Sequence, residues 1–302
     1  MPLSSLLDPA SPWLVFTDLD GTLLEWSSYS PKIARPGLLR LRERGVPVVF
    51  CSSKTATEQR ALRQELGIRA IPAIVENGAA IIVPESTGLP TAGWEPAPGE
   101  PGRRALALGL PVAEIQTRLD RVRARTGQAL RGYRDISDAD LAELTGLSVE
   151  SAARARQRDF SETLVEVLDD ETWAQLDAEF AREGLECRHG GRFHTVTGAG
   201  TDKGRAVRQV IELYESAYGR SVQSVGLGDS ANDKPLLEAV DHAFLLALEN
   251  GSWADLATDG LHRVGGRGPY GWVEVVDGLL DDGTDDTVKQ KSETAETGSA
   301  DV

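Results

Sequence analysis

The strongest constraint on how this chain can fold is an alternation of strand-length apolar runs with helix-length segments at its N-terminal end. Trp13–Thr17 (WLVFT), residues 46–51 (VPVVFC) and residues 70–76 are short apolar runs. Between them, a segment opening at Pro36 stops at Gly45, and residues 55–66 stop at Gly67, which is helix punctuation. Strands alternating with helices of this length imply parallel βαβ units. Residues 81–83 read as the second arm of a hairpin after the third strand.

The rhythm breaks near Pro84, and a Pro- and Gly-rich stretch to residue 102 reads as a linker or long loop. Beyond it, residues 111–125 form a helix with Val112, Ile115, Leu119 and Val122 along one stripe. Ser137 and Asp140 mark a helix start with Gly146 as its stop, and Ser148 starts another. Residues 160–168 read as a strand and 170–183 as a helix. Two further strands, 185–189 and 192–197, flank Gly190-Gly191 as a hairpin. This is an α+β module set inside an α/β chain. Alternation returns after Gly200, with helices at 203–216 and 233–240, strands at 221–227 and 243–248, and a helical or mixed segment over Tyr270–Leu280. The expected division is a core segment 1–86, an inserted module 87–198, a second core segment 199–281 and an acidic tail 282–302. From Asp281 onward there are seven acidic and two basic side chains and almost nothing apolar, a composition expected to be disordered.

Composition narrows the class. A net charge of −15 argues against a nucleic-acid partner, since polyanions need a basic surface. No apolar run approaches the roughly 18 residues of a membrane span, and the first residues show no basic and apolar signal pattern. Cys51 and Cys187 lie in unlike segments, so the expectation is no disulfide framework and a cytoplasmic location. An acidic protein that takes a phosphorylated ligand must supply positive charge locally. Outside the tail the lysines are Lys32, Lys54, Lys203 and Lys234, and two of these fall in the segments described next.

Asp18-Leu19-Asp20-Gly21-Thr22 follows the first strand directly, and ligands of open parallel sheets bind beyond the carboxyl ends of strands. Two charges about 4 Å apart repel by about 4 kcal/mol at an effective dielectric near 20. A hard divalent cation with oxygen ligands relieves this; an Asp-rich turn is the plainer alternative. Gly228-Asp229-Ser230-Ala231-Asn232-Asp233 follows another strand, and offers either an N-cap cluster or two more carboxylates for the same cation. Lys203 opens a helix after residues 198–202 (GAGTD), where amides and an ammonium can face one anion; alone it would be a surface lysine. Ser52-Ser53-Lys54 follows the second strand, either as a phosphate-holding turn or as a helix N-cap.

Taken together, Asp18 with Asp20, Ser52, Lys203, and Asp229 with Asp233 resemble, in order, the four motifs of haloacid dehalogenase superfamily phosphatases. The resemblance runs from about Trp13 to Val276. It implies a Rossmann-like parallel-sheet core with an inserted α+β cap of the C2B type, which Glu76-Asn77-Gly78 also suggests. Asp18 would be a covalent nucleophile and Asp20 the general acid and base. Mg²⁺ would be held by Asp18, Asp20 through its backbone carbonyl, Asp229 and Asp233, while Ser52, Ser53, Lys203 and Asn232 would hold phosphoryl oxygens. Three stretches, Arg158-Asp159-Phe160-Ser161-Glu162, 198–204 (GAGTDKG) and Gly268-Pro269-Tyr270-Gly271-Trp272, are similar to the mannosyl-3-phosphoglycerate phosphatase family. That similarity implies hydrolysis of mannosyl- or glucosyl-3-phosphoglycerate in mannosylglycerate (compatible-solute) biosynthesis. Lys54, Arg158, Ser161 and Glu162 would read the substrate.

Other readings within the fold are a sucrose- or trehalose-phosphate type phosphatase and, further off, a phosphomutase. A non-catalytic phosphometabolite binder would need neither Asp18 nor Asp20. His194 is expected to be packed or exposed rather than in the pocket, and Trp272 to be a core anchor. The expected partner is a small phosphorylated sugar-type substrate, without nucleic acid or membrane, in a monomer or homodimer.

Overall fold

The computed structural model describes residues 3–190 and 193–281. Its first part follows the sequence alternation through β1 (Trp13–Thr17), α1 (Arg35–Glu43), β2 (Val48–Cys51), α2 (Ala56–Leu66), β3 (Ala73–Val75) and β4 (Ala80–Pro84). Next come β5 (Glu95–Pro96) and β6 (Arg103–Ala107). The inserted module holds α3 (Val112–Thr126), α4 (Asp138–Thr145), α5 (Val149–Ala155), β7 (Ser161–Leu164), α6 (Asp170–Arg182), β8 (Leu185–Gly190) and β9 (Phe193–Gly198). The core resumes with α7 (Lys203–Tyr218), β10 (Gln223–Gly228), α8 (Lys234–Leu237), β11 (His242–Ala247), β12 (His262–Arg267) and α9 (Tyr270–Leu280).

The large sheet runs β12-β11-β10-β1-β2-β3-β4-β6-β5. Pairings from β12 through β3 are parallel, and those involving β4, β5 and β6 are antiparallel. Because side chains alternate across a strand, each central strand feeds two cores. Val15, Phe50, Leu227 and Phe244 face the layer of α1 and α9. Phe16, Val49 and Leu245 face α7 and α8. The result is a three-layer α/β/α core. Trp272 is fully buried in the first layer, its indole N–H bonded to Thr17 Oγ1 at 3.1 Å, as a core anchor should be. The strand order reverses about β1, with β2 on one side and β10 on the other. This topological switch point puts a crevice beyond the carboxyl ends of β1 and β10.

Two expectations need correction. Residues 84–102 are not simply a linker, and the inserted module does not begin at residue 87: β5 and β6 extend the large sheet next to β4. Arg103–Ala107 (RRALA) is a half-buried edge element, so it lacks the continuous apolar run that marks a central strand. A buried ion cluster fastens it, with Glu100 paired to Arg63 and, at 3.1 Å, to Arg103 Nε. The strand β12 carries no apolar run to mark it; in HRVGGR only Val264 is buried, and two glycines hide the pattern. The predicted tail 282–302 lies outside the described residues. So does part of the Gly190-Gly191 turn, although β8 and β9 do pair antiparallel from Leu185↔Gly198 to Gly190↔Phe193.

The inserted cap carries a three-stranded antiparallel sheet, β7-β9-β8. One face packs on α3 and α6 through Leu164, Leu185 and Val196 against Ile115, Leu119, Trp173 and Phe180. The other face looks toward the core. Among the described residues no helix is long and apolar enough to cross a membrane.

Candidate active site

The carboxyl ends of β1 and β10 bring the two acidic motifs together. The Asp18 N–H donates to Leu227 O at 2.9 Å, which carries the sheet ladder up to the point where the chain turns away. Gly21 then turns with φ +75°, and a Cβ there would stand 2.6 Å from Asp229 Oδ2. Only glycine gives both the conformation and the approach. Thr22 Oγ1 donates to Asp229 Oδ1 at 3.0 Å, fixing that carboxylate across the crevice. Asp233 is completely buried and accepts the N–H groups of Asp229 and Ser230, each at 3.1 Å. Lys203, at the start of α7, sends its ammonium into the cluster. Its Nζ lies 2.7 Å from Asp18 Oδ1 and 2.6 Å from Asp233 Oδ1.

Oxygens of Asp18, Asp229 and Asp233 lie within 4.8 Å of one another, and all three residues are buried. Burial, together with the neighbouring Asp233, pushes the Asp18 carboxyl up to about 7 against the opposing pull of Lys203. Asp229 is likewise held well above the ordinary carboxyl range, by burial and then by Asp233 and Asp18. For Lys203 burial works to lower the pKa, but Asp18 and Asp233 outweigh it and the ammonium is held above its usual value. Fully ionised, three carboxylates against one ammonium would leave two negative charges in a buried cluster with oxygen donors. That donor set fits a divalent hard cation such as Mg²⁺. The Asp20 carboxylate lies outside this trio.

Asp20 instead pairs with Lys54, Nζ to Oδ1 at 3.0 Å. Lys54 is also 3.7 Å from Glu58 Oε1 and 4.9 Å from the centre of the Tyr29 ring. Burial opposes the charge on Lys54, yet Asp20 and Glu58 hold its pKa above the usual lysine range. Glu58 closes a capping box with Thr55 that starts α2 just beyond this loop. Ser52 is buried at the end of β2, where its Oγ accepts the Lys54 N–H at 3.3 Å. Asp18, Asp20, Ser53, Lys54, Lys203, Asp229 and Asn232 line one cavity of about 500 Å³ between core and cap; Ser52 and Asp233 lie behind its surface.

From the cap, Arg158 lines this cavity and donates Nη2 to Ser53 O at 3.1 Å. Ser161 and Glu162, expected to read the substrate, do not line it. The Ser161 hydroxyl donates to buried Glu76 of the core. Glu162 shares the helix-covered sheet face with Leu164, where Oε1 accepts the N–H groups of Tyr133 and Thr163 and Oε2 accepts from Gln116, all at 3.0 Å. The physical reason is the two-residue period of a strand: if Leu164 packs on the helices, Glu162 must follow it. The cavity face carries Thr163, Thr195 and Arg188 instead, cross-strand neighbours in register. The same alternation could have pointed to Thr163. It also places His194 against Trp173, ring centroids 3.6 Å apart, away from the cavity as expected. Asn77, Trp26 and Tyr29 also line the cavity and were missed, since they belong to loops without periodicity.

Residues 15–90 match the family model of haloacid dehalogenase-like hydrolases. The fold extends the likeness to most of the chain. A phosphatase of the haloalkanoate (HAD) enzyme superfamily from Bacteroides thetaiotaomicron is 16% identical with a TM-score of 0.60, covering 90% of this chain and 98% of that one. A haloacid dehalogenase-like hydrolase from the same organism is 16% identical at TM-score 0.59, with coverages of 89% and 100%. Another from B. subtilis is 16% identical at TM-score 0.57, covering 88% and 99%. Over residues 15–90 the chain is thus similar to haloacid dehalogenase-like hydrolases. Across about nine tenths of the chain the fold, a Rossmann-like core with an inserted cap, is shared with these solved structures.

Proposed function

We propose that this protein is a Mg²⁺-dependent phosphatase of small phosphorylated sugar-type metabolites, with mannosyl- or glucosyl-3-phosphoglycerate as substrate. The observation that carries the phosphatase reading is the buried constellation of Asp18, Lys203, Asp229 and Asp233, open to a cavity at the sheet's switch point. A cavity of about 500 Å³ has room for far more than a phosphate. Arg158 and Lys54 supply positive charge on its wall. The substrate reading is supported by the resemblance of residues 158–162, 198–204 and 268–272 to phosphatases of that substrate, and by the place of Arg158.

Asp18 is the nucleophile: its carboxylate attacks phosphorus and forms an aspartyl-phosphate as the sugar-side alcohol departs. Asp20, beside it, gives that alcohol its proton, then takes one from the water that cleaves the intermediate. Lys203 orients the Asp18 carboxylate and offsets charge on the transferring group. Asn232 and the 52–54 loop hold phosphoryl oxygens. Asp18, Asp229 and Asp233, with the backbone of Asp20, would hold Mg²⁺, which supplies Lewis-acid stabilisation of the phosphoryl charge. The cap covers the crevice and excludes water.

The test is phosphate release from a panel of sugar phosphates with Mg²⁺ present. Preference for glycosyl-3-phosphoglycerates is expected. Faster release from sucrose or trehalose phosphate would move the substrate within the class, an isomeric sugar phosphate as product would indicate a mutase, and no turnover of any member would overturn the phosphatase reading.

A further inference from the structure

Between β3 and β4 the chain passes through Glu76–Gly78 with three successive positive φ angles, +48°, +60° and +97°. Two of these residues carry side chains, which this region disfavours. Such strain persists where the surroundings over-determine the backbone, and it gathers at functional sites. The surroundings here are specific. A Cβ on Gly78 would stand 2.1 Å from Asp202 O, so the turn is wedged against the loop that delivers Lys203. Its backbone is also tied to the loop after β2, with Glu76 N–H donating to Lys54 O at 3.1 Å and Asn77 N–H to Ser52 O at 3.0 Å.

The Glu76 side chain is completely buried and does not line the cavity. Its carboxylate accepts from the cap: Asp159 N–H at 2.9 Å, Phe160 N–H at 3.1 Å and the Ser161 hydroxyl. Three donors from three consecutive residues suit a carboxylate, which only accepts. Burial raises its pKa, and the charge of Arg158 pulls it back. Arg158 immediately precedes this fastened segment. Its guanidinium donates to Ser53 O, while its buried Nε has no hydrogen-bond partner among the described residues.

We infer that Glu76 is a positioning residue that fastens cap residues 159–161 to the core, so that Arg158 is presented to the substrate cavity in fixed register with the catalytic loops. This rests on the phosphatase reading for its kinetic consequence, though not for the fastening itself. One strained turn then links three loops, those bearing residues 52–54, Lys203 and Arg158.

The experiment uses the full chain with Mg²⁺ and four forms: unmodified, Glu76→Gln, Arg158→Ala and the double variant. Glutamine keeps the shape of the side chain but turns an NH₂ toward the cap donors. On the sugar phosphate of the panel that is hydrolysed best, Glu76→Gln is expected to raise KM about tenfold, as supporting residues commonly do. KM for p-nitrophenyl phosphate, which carries no sugar or carboxylate group for Arg158 to pair, should stay within about twofold, and Glu76→Gln should add nothing further once Arg158 is alanine. Hydrogen exchange at the Asp159 and Phe160 amides should speed up. Unchanged KM and exchange, or equal effects with and without Arg158, would overturn the inference. Should Glu76→Gln fail to fold, Ser161→Ala removes a single bond of the clip and carries the same exchange and KM measurements. If the unmodified protein releases no phosphate from any substrate, the phosphatase reading falls, and the exchange measurement still decides whether Glu76 holds the cap.

Discussion

Lys203 Nζ sits 2.7 Å from Asp18 Oδ1 and is buried with it, so the orientation of the Asp18 carboxylate depends on a side chain 185 residues away in sequence. Asp233 takes a second bond from the same ammonium at 2.6 Å, which stops Lys203 from drifting toward solvent. Removing one such preorganised donor typically costs about 10²–10³ in rate. Lys203→Met should therefore lower kcat by about that factor, measured as phosphate release at saturating Mg²⁺. It should also lower Tm, because two buried carboxylates lose their counter-charge.

Asp18→Asn keeps the shape of the side chain and its bond to Lys203 but cannot form the proposed aspartyl-phosphate. Loss of phosphate release by about 10⁴-fold or more is expected, with the fold intact by circular dichroism. Activity surviving this change would remove the covalent mechanism. Asp20→Asn should let a phosphoenzyme form from substrates with good leaving groups and then stall, since no base activates the water. Rapid-quench mass measurement of the protein would detect that species.

The pH dependence of metal binding has a definite sign. Asp18 is raised to about 7 and Asp229 is raised well above its ordinary value, both first by burial. In the metal-free protein these groups bind more protons folded than unfolded, so their contribution to stability is full below about pH 4 and is lost as pH rises, for Asp18 through about 7. Mg²⁺ must displace those protons. The rise in Tm on adding Mg²⁺ to chelator-treated protein should accordingly grow from pH 5 to pH 8. A shift that is flat or falls over that range would show that these carboxylates are not the ligands.

Gly21 and Gly67 offer a paired comparison, since both have positive φ, +75° and +68°. A Cβ on Gly67 meets open space, whereas one on Gly21 meets Asp229 Oδ2 at 2.6 Å. Gly67→Ala should cost only the backbone term, about 1–2 kcal/mol, with activity retained. Gly21→Ala should match or exceed that loss and also raise the Mg²⁺ concentration needed for half-maximal activity, because Asp229 is pushed aside.

How much of this was legible in the chain follows from the kind of signal each part leaves. Trp13–Thr17, the strand over residues 46–51 and the helix stops at Gly45 and Gly67 carry periodicity and punctuation, and the core follows them closely. Asp18, Lys203 and Asp229 could be placed because each sits one step beyond a strand or at a helix start, where an open sheet binds ligands. The edge strands β5, β6 and β12 left little trace because half-exposed strands need no apolar run. Glu162 is near a true cavity residue, Arg158, but falls on the strand face opposite Thr163, while Ser161 shares Thr163's face and is taken up by Glu76. Glu76 stood in the sequence as part of a turn, and nothing local indicates that its carboxylate meets residues 159–161.

The alternation that removes Glu162 from the cavity selects Arg188 for it. Thr163, Thr195 and Arg188 are paired across β7, β9 and β8 on the open face, with the threonine hydroxyls 3.4 Å apart. Arg188 is held by Glu186 at 2.7 Å, which aims the guanidinium without burying it. A substrate whose non-phosphate part reaches the cap would meet this row, and a small aryl phosphate would not. Losing a hydrogen bond to a charged group costs about 1.5–3 kcal/mol, or about 10- to 100-fold in affinity. Arg188→Ala should therefore raise KM for the preferred sugar phosphate by that range, leave kcat within about threefold and leave p-nitrophenyl phosphate kinetics unchanged. Arg188→Lys keeps the charge but loses the planar fork, so it should recover part of the difference. An Arg188→Ala enzyme with unaltered KM on every sugar phosphate would confine substrate reading to Arg158 and its side of the cavity.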